Sequence, residues 1–139
     1  MTLVVDASTV VAGLIDTGTD GTWAETLLRS ESLAAPHLMP VEAANILRRA
    51  QLAGDISSDI ASIAHSDLLD LPVEFFPYEP FAARVWALRH NITCYDAWYV
   101  ALAEMLGAPL ATLDSRLAKA PGTHCRFATL PGRPDGPRR

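Results

Sequence analysis

Four acidic residues, Asp6, Glu42, Asp96 and Asp114, stand where carboxylates can hold metal ions. Asp6 and Asp114 each follow a short apolar run, Leu3-Val4-Val5 and Leu110-Ala111-Thr112-Leu113. Glu42 and Asp96 each fall in the first turn of an expected helix. Several carboxylates in one pocket cannot all stay ionised without compensation. Hard divalent cations supply it, and all-oxygen ligation selects magnesium or manganese. Such a site keeps positions open for water and phosphate oxygens. Phosphodiester hydrolysis fits it, with one ion activating a water and a second steadying the leaving oxygen. Each acid also has a plainer reading. Asp96 suits a helix cap, and Glu42 a first-turn acid favoured by the helix dipole. Asp6 and Asp114 suit caps for the helices after their strands. One by one these alternatives stay open; four acids at one rim argue for a site.

Strands must end beside these acids if they are to meet. Residues 2–5 are apolar and β-branched, too short for a helix, and read as a buried strand. A short helical stretch follows through Val10, Val11 and Leu14. A polar loop covers 16–22, and Asp20 is placed to cap a helix through Trp23, Leu27 and Leu28. Residues 32–35 read as a second strand, stopped by Pro36. A stronger helix covers about 40–53, with Pro40 in its first turn and Gly54 at C′. Ser57 or Ser58 caps another, with Ile60, Ile63, Leu68 and Leu69 as its apolar face and Pro72 as its stop. Residues 73–76 alternate as a third strand. A helix over about 80–89 carries Phe81, Val85, Trp86 and Leu88. Thr93 and Asp96 fit the N-cap and N3 positions of a capping box. That helix runs to Leu106 and ends at Gly107. Residues 110–113 read as a fourth strand ending at Asp114, 115–118 as a short turn or helix, and 126–130 as a final strand. Residues 131–139, rich in Pro, Gly and Arg, read as a loose tail.

This alternation predicts one α/β domain over residues 1–130, a parallel sheet with helices on both faces. Ligands of such sheets bind at the carboxyl ends of the strands. Helix N-termini lie near the same edge. The four acids can therefore converge on one rim, although they span positions 6 to 114.

The bulk composition agrees. The chain has 139 residues, half of them hydrophobic, enough for a core without disulfides. No apolar run approaches the ~18 residues of a membrane helix. The N-terminus lacks the basic region of a signal peptide, so cytosolic residence and no membrane partner are expected. Cys94 and Cys125 make no CxxC motif and read as reduced, partly buried thiols. His37, His65, His90 and His124 are scattered, which disfavours a zinc site. The net charge of −5 argues superficially against a nucleic-acid substrate. Without the four site acids, twelve acids face eleven bases, so most of the excess can sit in one cation-binding pocket. All but one of those bases are arginines, whose forks suit phosphate oxygens. A GC-rich coding sequence explains the arginines equally well.

Four blocks together resemble the PIN-domain ribonucleases, and most closely the VapC-type toxins of bacterial toxin–antitoxin pairs. They are Val5-Asp6-Ala7-Ser8, Pro40-Val41-Glu42-Ala43-Ala44-Asn45, Tyr95-Asp96-Ala97-Trp98-Tyr99-Val100-Ala101-Leu102-Ala103 and Ala111-Thr112-Leu113-Asp114-Ser115-Arg116-Leu117. The third is the most specific. The resemblance implies a three-layer α/β/α fold with about five parallel strands. It implies Asp6, Glu42, Asp96 and Asp114 as catalytic, metal-binding acids for Mg2+ or Mn2+. Ser8 matches a small polar residue supporting the first acid, and Thr112 a hydroxyl residue two places before the last. Asn45, one turn after Glu42, faces the same way and is placed to orient Glu42 or a water. Some relatives carry a further acid just after the fourth; Arg116 occupies that region here, which implies a weaker second metal site, and Arg116 reads as a phosphate contact or, more simply, as a solvated surface arginine. A homodimer and a cognate VapB-type antitoxin laid across the groove are also implied. Trp23, Trp86 and Trp98 suit such contacts, and equally suit a core.

Rival readings fail on residues. A phosphorelay receiver wants an adjacent acid pair after the first strand and a lysine near the last, but Ala7 and Ser8 follow Asp6 and the sole lysine is Lys119. A haloacid-dehalogenase-like phosphatase wants DxD, and Ser8 replaces the second acid. No GxxxxGK[ST] loop is present. A catalytically silent binding module on the same fold stays open. The expected activity is metal-dependent endonucleolytic cleavage of RNA, with unstacked regions the more accessible substrate for a shallow acidic groove.

Overall fold

The computed structural model describes residues 1–132. Each apolar run becomes a strand: β1 (Thr2–Val5), β2 (Ser32–Pro36), β3 (Val73–Phe76), β4 (Leu110–Ala111) and β5 (Phe127–Ala128). All pair in parallel, in the order β3-β2-β1-β4-β5. Central β1 buries Leu3, Val4 and Val5, as expected of a strand covered on both faces. Each such side chain contributes roughly 1.5–3 kcal/mol of burial.

Seven helices join the strands: α1 (Ala7–Ile15), α2 (Thr19–Ser30), α3 (Met39–Leu52), α4 (Ser58–Asp70), α5 (Ala82–Ala87), α6 (Cys94–Leu106) and α7 (Ser115–Ala118). α1 packs on α2, α3 and α4, and α3 on α4, forming one layer. α6 packs on β1, β2 and β4, with α5 beside it. Ala97 and residues 99–103 of α6 are all buried, so this helix is apolar nearly all round. Gly107 ends it at φ +62, a left-handed cap that suits glycine. The three-layer α/β/α architecture is thus the expected one.

Several local expectations need correction. Gly18, not Asp20, is the N-cap of α2, and Asp20 lies in its first turn. The loop after α1 is therefore shorter than 16–22. Pro36 does not stop β2 early but is its last residue, opposite Phe76. The missing N–H is harmless there because His37 N donates to Phe76 O at 3.0 Å. Ser57 is the cap of α4, its hydroxyl accepting from Ile60 N. The apolar face of α4 is rotated. Ala61, Ala64 and Leu68 are buried, while Ile60, Ile63 and Leu69 are exposed. Small alanines let α4 approach α1 and α3 closely, so size was the wrong guide. The helix expected over 80–89 is a 3₁₀ turn (Glu79–Phe81) followed by α5, and its Trp86 is exposed. β4 and β5 are two residues each, shorter than expected. Both cysteines are free thiols, as expected, but only Cys125 is partly buried; Cys94, at the start of α6, is exposed. The tail expected over 131–139 lies, from residue 133 on, outside the described residues.

Candidate active site

The strand order reverses about β1: β2 and β3 extend one way, and β4 and β5 the other. Such a switch point opens a crevice at the carboxyl ends of the strands. Asp6 follows β1 there, and Asp114 follows β4. Asp6 is the N-cap of α1, with Oδ1 accepting from Ser8 Oγ at 2.8 Å and from Thr9 N at 2.9 Å. Buried Thr112 ties the two acids. Its hydroxyl accepts from Asp114 N at 3.0 Å and hydrogen-bonds the Asp6 carboxylate. Asp114 in turn caps α7, its Oδ1 accepting from Arg116 N at 2.9 Å and Leu117 N at 3.3 Å. Capping and site placement are therefore compatible in both residues, since the cap is what fixes each carboxylate.

Glu42 lies in the first turn of α3, and its Oε1 accepts from Tyr99 OH at 2.6 Å. Tyr99 is fully buried on α6, so this short bond joins two helices across the rim. Asp96 lies in the first turn of α6, whose N-cap is Thr93; the Thr93 hydroxyl accepts from Asp96 N at 3.1 Å. The first half of the expected capping box is thus present.

All four acids line one cleft of about 370 Å³, joined by Ser8 and Asn45. Convergence is also electrostatic. Asp96 is pushed up to about 6, first by burial and then by the charges of Asp114, Asp6 and Glu42. Burial raises Asp6, against the opposing hydrogen bonds of Thr112, Thr9 and Ser8. Burial also raises Glu42, where the Tyr99 bond opposes and the Asp6 charge adds. Tyr99 itself is raised, by burial and then by its bond to Glu42, so it stays a proton donor. The cleft therefore holds excess negative charge that a cation would relieve.

The donors suit a hard divalent cation, being carboxylate oxygens without sulfur or imidazole in the cleft lining. Among the described residues, no group of three or more such side chains forms a closed metal cage. Magnesium is commonly held by one or two carboxylates with waters completing its shell, so an open arrangement fits.

Of the supporting residues, Ser8 and Thr112 hold the first acid. Asn45 lines the cleft but makes no hydrogen bond to Glu42. Arg116 is exposed outside the cleft and contributes its backbone N–H rather than its guanidinium. Two cleft residues escaped the sequence reading of roles: Tyr99 and Arg49. Spacing carried a signal for both. Tyr99 is one turn from Asp96, and Arg49 lies two turns from Glu42 on the Asn45 face.

Both the sequence and the fold have known relatives. The sequence profile of the PIN domain matches residues 3–122. Ribonuclease VapC1 of Mycobacterium tuberculosis is 45% identical over 125 residues, which span 89% of this chain and 94% of that protein. The structure of PAE2754 from Pyrobaculum aerophilum superposes with a TM-score of 0.66 at 27% identity, covering 88% of this chain and 82% of that one. The structure of VapBC2 from Rickettsia felis bound to a promoter DNA fragment shares the fold, with a TM-score of 0.63 at 13% identity over 93% of this chain and 98% of that one. A match this long, at this identity, on a fold whose four acids meet at the switch point, shows that the chain belongs to the PIN-domain family, among the VapC-type ribonucleases.

Proposed function

We propose that this protein is a metal-dependent endoribonuclease, the toxin of a toxin–antitoxin pair, which hydrolyses RNA phosphodiesters and is neutralised by a VapB-type antitoxin. The observation that carries the reading is the single cleft lined by Asp6, Glu42, Asp96 and Asp114. Identity to a protein named a ribonuclease supports the activity. Likeness to a VapBC structure supports an antitoxin partner.

Asp6, Glu42, Asp96 and Asp114 would hold a magnesium or manganese ion, which would supply Lewis acidity toward water and phosphate oxygens. The chain's own residues prepare the site. Ser8, Thr9 and Thr112 fix the Asp6 carboxylate, and Tyr99 fixes Glu42. Capping holds Asp114. Asp96, the acid most strained by its neighbours, is the group whose ionisation a cation most favours. The open cleft admits an unstacked strand more readily than a duplex. The working form implied by the family is a homodimer, inhibited when the antitoxin covers the cleft.

The test is cleavage of single-stranded RNA by wild type and Asp96→Asn, with and without EDTA. Wild type should cut only with metal, and the variant should not cut. Equal activity in both proteins, or cutting that survives EDTA, would sink the mechanism. A manganese titration showing no binding heat would instead favour a silent binding module. Toxicity in cells, relieved by co-expressing the partner encoded beside it, tests the toxin role separately.

A further inference from the structure

Arg49 is the cation of the acidic cleft, and it pairs with none of the acids. Among the described residues, four other arginines are occupied, while the exposed Arg48 and Arg116, outside this cleft, have guanidiniums that pair with nothing. Arg84 grips Glu104 at 2.7 Å, Arg29 lies 3.6 Å from Glu25, and Arg89 sits over the Trp86 ring at 4.5 Å. Arg126 donates to Gly107 O. The Arg49 guanidinium has no hydrogen bond or ion pair among the described residues, although it lines the same cleft as four carboxylates. A guanidinium there for neutralisation alone would sit on an acid, as Arg84 does. Its neighbour Arg48 faces a separate groove between α3 and α4, beside Gln51 and His65.

The α3 helix sets the distance. Glu42, Asn45 and Arg49 lie along one stripe, and seven residues span about 10 Å of helix. Arg49 is thus in the cleft but displaced along it from the Glu42 end. The geometry points to Arg49 as a binding residue for a phosphate that flanks the bond being cut, not for the scissile phosphate itself. This rests on the nuclease reading and adds where the strand runs: from the acids outward along α3. An anchor of this kind has a clear use. The four acids repel an RNA backbone until cations neutralise them, and a free fork beyond them holds the strand while that happens. A bidentate fork suits phosphate oxygens better than an ammonium does.

The experiment measures binding of a fluorescent single-stranded oligoribonucleotide across a salt series by anisotropy. Every protein carries Asp96→Asn, so the RNA stays intact. Adding Arg49→Gln should weaken binding roughly tenfold and lower the log–log salt slope by about 0.7, one phosphate contact on a single strand. Arg49→Lys should keep most of the slope but not the affinity. Arg48→Gln is the charge-matched control and should change both less. In the active protein, Arg49→Gln should act on KM more than on kcat, as loss of a contact shared by ground and transition states does. If Arg49→Gln and Arg48→Gln prove indistinguishable, the assignment is wrong while the nuclease reading stands. A loss confined to kcat also overturns it, placing Arg49 on the reacting phosphate. If the wild type cleaves no RNA with magnesium or manganese, the nuclease reading falls and this inference with it. Arg49 is exposed and unpaired, so the melting temperature of Arg49→Gln should match its parent.

Discussion

Asp96 shows most directly how function and stability oppose each other in single residues. Burial and three neighbouring acids hold its carboxyl at about 6, above its ordinary value of 3.8. The metal-free folded state thus binds this proton more tightly than the unfolded chain does. Stability is complete below about pH 4 and falls as pH rises through about 6. Asp96→Asn removes that loss. Asp96 keeps some solvent contact, which discounts the gain to roughly 1–2 kcal/mol at pH 7.5. The metal-free variant should melt several degrees above wild type at pH 7.5, and the gap should close near pH 4. Thermal melts in EDTA across that range check it. Activity should fall by more than roughly 100-fold, exceeding the usual loss for a group one shell further out. Tyr99 is such a group. Tyr99→Phe deletes the donor to Glu42 Oε1. That bond opposes the burial that raises Glu42, so its loss should raise Glu42 further and move the acid limb of the pH–rate profile upward. Manganese affinity should drop roughly 10- to 100-fold. A variant that melts lower but binds manganese normally would make Tyr99 a packing residue only. The four acids were legible because each combines a charge with a strand end or helix start. Tyr99 lies within the most specific motif but is not legible as a site residue, because an aromatic inside an apolar helix looks like core, and its body is core. Only its hydroxyl belongs to the site.

Between elements, close approach decides more than hydrophobicity does. α1 and α2 pack against each other across a short turn, and two glycines lie at their contact. At Gly21 an added Cβ would lie 1.7 Å from the backbone oxygen of Asp16, which cannot move without shifting the turn. At Gly13 the nearest atom is the Leu28 Cδ1 at 2.5 Å, the end of a flexible side chain. The two substitutions should therefore differ. Gly21→Ala should cost about 1–3 kcal/mol through overpacking. Gly13→Ala should fall within about 1 kcal/mol of neutral, since the helix gain from alanine offsets the Leu28 adjustment. Urea unfolding of both variants checks the contrast, and equal losses would contradict it. The same principle explains what the sequence obscured. Helix and strand positions followed from periodicity, Pro40, Ser57, Thr93 and Gly107. The buried face of α4 did not, because Ala61 and Ala64 make the close contact while larger Ile60 and Ile63 point outward. Just past β4, Thr112 N still donates to Ala128 O at 3.2 Å, while its hydroxyl serves Asp6 and Asp114 N, so one residue ends the ladder and ties the site.

In the whole molecule, sheet topology brings together residues more than a hundred positions apart, and charge then couples folding to metal. Four of the sixteen acids share one cleft in a chain whose net charge is −5. Metal-free, they repel one another across β1, β4, α3 and α6. A divalent cation should relieve that repulsion in the folded state alone, since the unfolded chain holds no such cluster. Binding is then stability: at a hundred times Kd the gain is about 2.7 kcal/mol, roughly 10 °C in melting temperature for a domain of this size. The coupling has a definite pH sense. Protons compete with metal at Asp96, so affinity should fall about tenfold per unit once pH drops below about 6. The melting shift given by a fixed magnesium concentration should therefore be large at pH 7.5 and small at pH 5. Asp96→Asn should lose most of the shift at both values, even though its metal-free form is the more stable at pH 7.5. A magnesium shift of equal size at pH 5 and 7.5 in wild type, or one retained in Asp96→Asn, would place the ion outside this cleft.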